Sequence, residues 1–157
     1  MSSAKNHSNR QKVLGYPVDV LDEGEAASTI ESALTGRKGL HVVTLNSEMV
    51  ILAQKDQDLD RVIRRAHLIV PDGAGAVFAL RLDGHKSVRV PGIELAWKAL
   101  SLAEKHALPV ALIGGRQEVL DKLVPALKET YPQIDLVACQ HGYFDSEDEQ
   151  ALVEEIA

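Results

Sequence analysis

The chain has 157 residues, 45% of them hydrophobic and 25% charged, and a formal net charge of -6. That length supports a domain with its own core, and the acidic balance offers no broad electrostatic pull on nucleic acid. A single cysteine, Cys139, excludes an intramolecular disulfide and a cysteine-rich metal site, and no apolar run approaches the ~20 residues needed to span a bilayer.

Residues 1–12 are polar, contain no apolar signal-peptide core, and are expected to form a disordered tail. Val13 to Leu21 has strand-like content broken by Gly15 and Pro17, which suits an edge strand or a short hairpin. Glu25 to Leu34 places Ala26, Ala27, Ile30, Ala33 and Leu34 at helical spacing before Gly36 and Gly39 stop it. Leu40 to Leu45 is a near-continuous apolar run, as expected of a strand buried on both faces. It ends in Thr44-Leu45-Asn46-Ser47, and a helix follows from about Glu48 to Gln54. Asn46 or Ser47 suits its N-cap, so capping alone could account for the polar residues of this turn.

Asp56-Gln57-Asp58 has the form of a carboxylate pair that binds divalent metal in many nucleotide-sugar enzymes. It lies between two helical patterns rather than after a buried strand. Asp58 is therefore expected to cap the helix beginning at Leu59. His67 to Val70 forms the next short apolar strand, and Pro71-Asp72-Gly73-Ala74-Gly75 breaks it before the apolar helix Ala76 to Leu80. Ligands of α/β proteins bind at the carboxyl ends of strands, which is where Asp72 falls. Capping of the next helix accounts for Asp72 equally well.

Arg81 to Lys86 is a polar stretch containing Gly84. Arg89-Val90-Pro91-Gly92 follows, then an amphipathic helix from about Ile93 to His106, in which Trp97 suits core or edge packing. Arg89 is either a solvated loop charge or an anion-holding fork. Pro109 to Ile113 predicts a second buried strand, which runs into Gly114-Gly115 and a helix from about Gln117 to Tyr131. Glycines there either let backbone N–H groups approach an anion or simply make the turn. Ile134 to Cys139 predicts the last strand. It ends in His141-Gly142-Tyr143-Phe144, and Asp145 or Ser146 suits the cap of a final acidic helix. Alternating strands and helices imply a Rossmann-like α/β fold, a mostly parallel sheet with helices on both faces. The polar strand-end turns would then lie on one edge, where they can converge on one cleft.

Taken together, these stretches resemble the WecG/TagA/CpsF family of bacterial glycosyltransferases. The matching pieces are Leu14-Gly15-Tyr16-Pro17-Val18-Asp19, Thr44 to Val50, Val70-Pro71-Asp72-Gly73, Arg89-Val90-Pro91-Gly92, Leu112-Ile113-Gly114-Gly115 and His141-Gly142-Tyr143-Phe144. They occur in the family's order and cover nearly the whole chain after residue 12. The resemblance implies metal-independent transfer of a sugar, typically N-acetylmannosamine, from a UDP donor to undecaprenyl-diphosphate-linked N-acetylglucosamine. The products would feed teichoic acid or other cell-surface polysaccharides, and neither a cofactor nor a metal is expected.

Carried over by position, Asp72 matches the proposed catalytic base, and Thr44 and Asn46 match active-site polar residues. Arg89 matches a basic residue of the same pocket, and Tyr143 an aromatic near the nucleotide base. Gly73, Gly114 and Gly115 complete the expected substrate-binding set. Uracil stacking on Tyr143 stands beside plain edge packing against Phe144. The family continues past the point where this sequence stops, with a Gly-x-Pro-Lys-Gln-Glu-like turn and a basic C-terminal appendage. Residues 13–157 are thus expected to form one α/β glycosyltransferase domain that lacks the C-terminal part. That part would supply peripheral contact with the inner face of the cell membrane for an otherwise cytoplasmic protein, with a homo-oligomer left open. The main alternative is a non-catalytic module that binds a nucleotide or UDP-sugar on the same fold. A Rossmann dehydrogenase ranks below it, since no GxGxxG follows the first strand.

Overall fold

The computed structural model describes residues 9–156, which form a mixed α/β fold with short parallel strand pairs flanked by helices. The chain divides into two compact units, one running to Lys98 and the other from Ala99.

The first unit opens with an antiparallel hairpin, β1 (Arg10–Val13) and β2 (Tyr16–Asp19). Its two-residue turn holds Leu14 at φ 51° and Gly15 at φ 87°. Two consecutive positive φ angles match the right-handed twist of the flanking strands. The hairpin therefore begins earlier than the sequence suggests. Arg10 to Lys12, assigned to the tail from sequence, belong to β1, while residues 1–8 lie outside the described residues. The reason is a long-range ion pair. Arg10 donates from Nε and NH2 to the two carboxylate oxygens of Asp19, each at 2.7 Å. Asp19 is buried and also accepts from the Ile69 backbone N–H at 2.8 Å.

Helix α1 (Glu23–Thr35) starts with a capping box between Asp22 and Glu25. Then β3 (Val42–Leu45) and β4 (Leu68–Pro71) pair in parallel, with Thr44 opposite Val70 and Leu45 opposite Pro71. They are joined through α2 (Ser47–Ala53) and α3 (Gln57–Arg65). All four residues of β4 are buried, whereas β3 alternates between buried and half-buried positions. Burial on both faces, expected for β3, is thus a property of its neighbour. Hairpin, β3, β4 and helices share one core, in which Val18, Leu45, Ile63, Ile69 and Leu80 are almost wholly enclosed.

Asp56, not Asp58, caps α3. Its carboxylate accepts from the backbone N–H groups of Asp58 and Leu59 at 2.9 and 3.0 Å. Asp58, already inside the helix, pairs with Arg61 one turn on. A second cluster fastens α3 to the hairpin. The Tyr16 hydroxyl donates to Asp60, Arg64 donates to Asp60 and to the Gly15 carbonyl, and the Arg64 guanidinium lies 4.5 Å from the Tyr16 ring centre. Arg64, with help from Tyr16, holds the Asp60 carboxyl below its usual range. Burial, reinforced by Asp60, pushes the Tyr16 phenol up.

After β4 come α4 (Ala74–Leu82) and α5 (Gly92–Lys105); residues 99–105 of α5 belong to the second unit. There β5 (Pro109–Ile113) and β6 (Asp135–Gln140) pair in parallel, with a register shift between Val110 and Ala111. They are connected by α6 (Gln117–Thr130), and α7 (Ser146–Ile156) follows. The buried strand expected at 109–113 is instead half-buried, with both of its ends exposed. Its apolar content reflects its place in the sheet rather than full enclosure.

Candidate active site

In the first unit, two strand ends and one loop meet. The β3–β4 ladder continues one step beyond the strands, because the Asp72 backbone N–H donates to the Leu45 carbonyl at 2.9 Å. On its other side, β4 receives the loop before α5, where the Val90 N–H donates to the Pro71 carbonyl, also at 2.9 Å. Val90 is fully buried. This anchor carries Arg89 and Gly92, its near neighbours in sequence, to the Asp72 side chain. Arg89 donates from Nε to Asp72 Oδ1 at 3.2 Å, and its NH2 lies 3.1 Å from the same oxygen. The Gly92 N–H donates to Asp72 Oδ2 at 2.8 Å. Both carboxylate oxygens are thus engaged, one by a charge and one by a main-chain dipole.

Asp72 does not cap the helix that follows it. The N-cap of α4 is Gly73, which provides no side-chain cap. The carboxylate serves the start of α5, twenty residues on, a contact that periodicity around residue 72 cannot reveal. Carboxylates are favourable at helix N-termini because they meet unpaired N–H groups and the positive end of the dipole.

Thr44 lies on the same spot. A Cβ placed on Gly92 would come within 2.8 Å of Thr44 Oγ1, 3.0 Å of Thr44 Cγ2 and 3.1 Å of Asp72 Oδ2. Gly92 is therefore the point at which the ends of β3 and β4 and the start of α5 come together. It escaped the sequence reading; the available signal was a Pro-Gly step opening a strongly amphipathic helix. Asn46 lies next in the chain and caps α2, its Oδ1 accepting from the Met49 N–H at 2.9 Å. Of the two caps expected there, Asn46 is the one used. The start of α4 packs closely against this turn. A Cβ on Gly73 would stand 3.4 Å from Asn46 Cβ, and one on Gly75 would collide with Ser47 Oγ.

The electrostatics are asymmetric. The Asp72 side chain is 20% exposed and that of Arg89 is 61% exposed. An ion pair with so exposed a partner contributes about 0–1 kcal/mol, so an incoming anion can compete for the guanidinium at little cost. An open depression of about 630 Å³ continues from Arg89 along α4, lined by Ala74, Gly75, Val77, Phe78, Arg81 and Arg89. Arg81 is tied by Nε to the Ser87 carbonyl at 3.0 Å.

The second unit has its own strand-end arrangement. Gly114 and Gly115 adopt φ 126° and 72°, which favour glycine. The Gly114 N–H donates to the Gln140 carbonyl and the Gly142 N–H to the Gly115 carbonyl, each at 2.9 Å. A Cβ on Gly142 would lie 3.1 Å from Gly114 Cα. The two turns after β5 and β6 are thus laced together by main chain. Tyr143 donates its N–H to His141 Nδ1 at 3.2 Å, and its side chain is 73% exposed. Among the described residues, Tyr143 is thus exposed rather than packed into an edge. Thr44, Asn46, Asp72, Gly73 and Arg89 gather at the site of the first unit; Gly114, Gly115 and Tyr143 gather at that of the second.

The family model described as "Glycosyl transferase WecG/TagA/CpsF family" matches residues 11–157. The N-acetylglucosaminyldiphosphoundecaprenol N-acetyl-beta-D-mannosaminyltransferase of Staphylococcus aureus strain NCTC 8325 / PS 47 is 35% identical over 155 residues, covering 96% of this chain and 61% of that protein. The proteins of the same name from strains COL and MRSA252 match with the same identity and coverage. The chain spans about three-fifths of the length of these curated relatives. With the family model matched over all but the first ten residues, the chain belongs to the WecG/TagA/CpsF family of glycosyl transferases.

Proposed function

We propose that the site around Asp72 transfers N-acetylmannosamine, or a related hexose, from a UDP-linked donor to N-acetylglucosamine carried on undecaprenyl diphosphate. The donor and acceptor sugars are those in the name of the staphylococcal relatives. The observation that carries the reading is the carboxylate at the end of β4, held between the Arg89 guanidinium and the Gly92 N–H with Thr44 beside it.

The chemistry needs two things. The acceptor hydroxyl must lose a proton as its oxygen attacks the anomeric carbon, and Asp72 is the group to take it. The bond from the anomeric carbon to the donor phosphate breaks at the same time, and the departing UDP carries the electron pair away as negative charge. Arg89, which can leave Asp72 cheaply, and the first turn of α4, which has no side-chain cap from Gly73, are the donors suited to stabilise that charge. The depression along α4 pairs two guanidinium groups with Val77 and Phe78, a combination suited to a diphosphate attached to an apolar chain. Tyr143 offers a face for uracil, and the Gly114–Gly115 turn, whose Gly114 N–H is taken by the Gln140 carbonyl, leaves the Gly115 N–H as the main-chain donor suited to a ligand there. Asp56 and Asp58 both serve α3, so this reading gives them no part in donor binding.

The lipid carrier would bring the reaction to a membrane surface. Among the described residues, no helix is long and apolar enough to cross a membrane. The test is a thermal-shift titration of the 157-residue chain with UDP, GDP and NAD, with and without EDTA. The expected result is stabilisation by UDP above the other two, unaffected by EDTA. Preference for NAD, or a strict need for added manganese or magnesium, would contradict the reading.

A further inference from the structure

We propose that Gly92 is a positioning residue of this site: its main-chain N–H fixes Asp72 Oδ2, and its missing Cβ is the space in which Thr44 and Asp72 stand together. The inference rests on the transferase reading for its catalytic meaning and on geometry alone for the contact.

Three observations converge. The Gly92 N–H donates to Asp72 Oδ2 at 2.8 Å, within the range of charge-assisted bonds. Gly92 is the first residue of α5, so this N–H has no partner inside the helix, and Asp72 supplies one from a distant strand end. The space beside its Cα is closed from two sides by Thr44 and from a third by Asp72. Thr44 cannot give way easily, because a β-branched side chain is stiff at χ1 and its residue is held in the β3–β4 ladder. Asp72 Oδ2 cannot give way without breaking its bond to Gly92 itself.

The consequence is a division of labour at the carboxylate. Oδ2 is fixed by the backbone and sets the orientation of the side chain. Oδ1 is held by exposed Arg89 and becomes the face presented to the acceptor hydroxyl when the guanidinium moves to a phosphate. Alanine at position 92 would favour the helix as such. Its cost would appear instead as displacement of Thr44 and Asp72, and misplacement by about 1 Å can cost ~10²-fold in rate.

Two measurements test this. In the 157-residue chain, amide hydrogen exchange at Gly92 should be at least about tenfold slower in the unaltered protein than in Asp72→Ala, as expected for a hydrogen bond to a charged group, with the β3 and β4 amides alike in both. Equal exchange at Gly92 would overturn the contact. In the full-length gene product, Gly92→Ala should lower kcat at least about tenfold while leaving the donor KM within about twofold. On a Thr44→Ser background, where the methyl at 3.0 Å is gone and the hydroxyl at 2.8 Å is freed from the β-branched χ1 restraint to turn aside, the same substitution should cost less than about threefold relative to Thr44→Ser itself. Equal losses on the two backgrounds, or none on either, would overturn the proposal. Absence of transfer by the unaltered full-length protein would count against the transferase reading, and the exchange result would then decide the geometry.

Discussion

At the end of β4, Asp72 stands between a guanidinium and a helix N–H, each brought by a loop from elsewhere in the sequence. At the end of β5, Gly114 and Gly115 are bonded through main chain to the neighbouring turn. Both places have the same local grammar of apolar strand, glycine turn and helix. They differ in what arrives from outside. The first receives the Arg89–Gly92 loop, docked through buried Val90 onto Pro71, and so acquires fixed side chains. The second receives the Gln140–Gly142 turn, whose close approach accounts for Gly142, while the positive φ angles account for Gly114 and Gly115. A strand-end glycine turn is thus a permissive feature, and long-range docking converts it into a place for side-chain chemistry.

The largest expected effect tests the first region. Asp72→Asn keeps the shape and can still accept from Gly92, but it cannot take a proton. Turnover in the full-length gene product should fall ~10²–10⁴-fold, the usual worth of a general base, with the melting temperature nearly unchanged because Asn serves a helix N-terminus about as well as Asp. Near-normal turnover in a stably folded variant would reduce Asp72 to a cap of α5 and erase the difference between the two regions. A smaller effect is expected in the second region. Gly115→Ala has open space for its Cβ but must adopt φ 72°, at a cost of about 1–2 kcal/mol. A fall in melting temperature of roughly 2–8 °C should follow, with turnover reduced less than about tenfold. A loss as large as that of Asp72→Asn would break the comparison by placing equal chemistry at the glycine turn.

The sequence carried the order of strands and helices, because apolar runs and 3.6-residue spacing are local signals. The hairpin around Gly15, the helix after Asn46 and the amphipathic helix before His106 all follow from such signals. What was not legible was long-range. Arg10 lies in a polar stretch and enters a strand only because Asp19 awaits it. Asp58 resembled a cap because Asp56 and Asp58 are chemically equivalent, and only the helix start two residues earlier separates them. Asp72 resembled a cap for α4 and instead meets α5. Gly92 had no distinctive local signal beyond Pro-Gly before a helix. Even burial misled where the environment decides: the run at 109–113 is as apolar as a buried strand and yet is half-exposed.

The central claim is that this arrangement of Asp72, Arg89, Gly92 and Thr44 performs sugar transfer rather than only holding a nucleotide. The most direct measurement supplies the full-length gene product with UDP-N-acetylmannosamine and a lipid-diphosphate-linked N-acetylglucosamine, then follows UDP release and the mass of the lipid product together. The account predicts one UDP released for each acceptor lengthened by one N-acetylhexosamine. Saturable binding of UDP with no lengthened acceptor would contradict it and leave a nucleotide-binding module in its place.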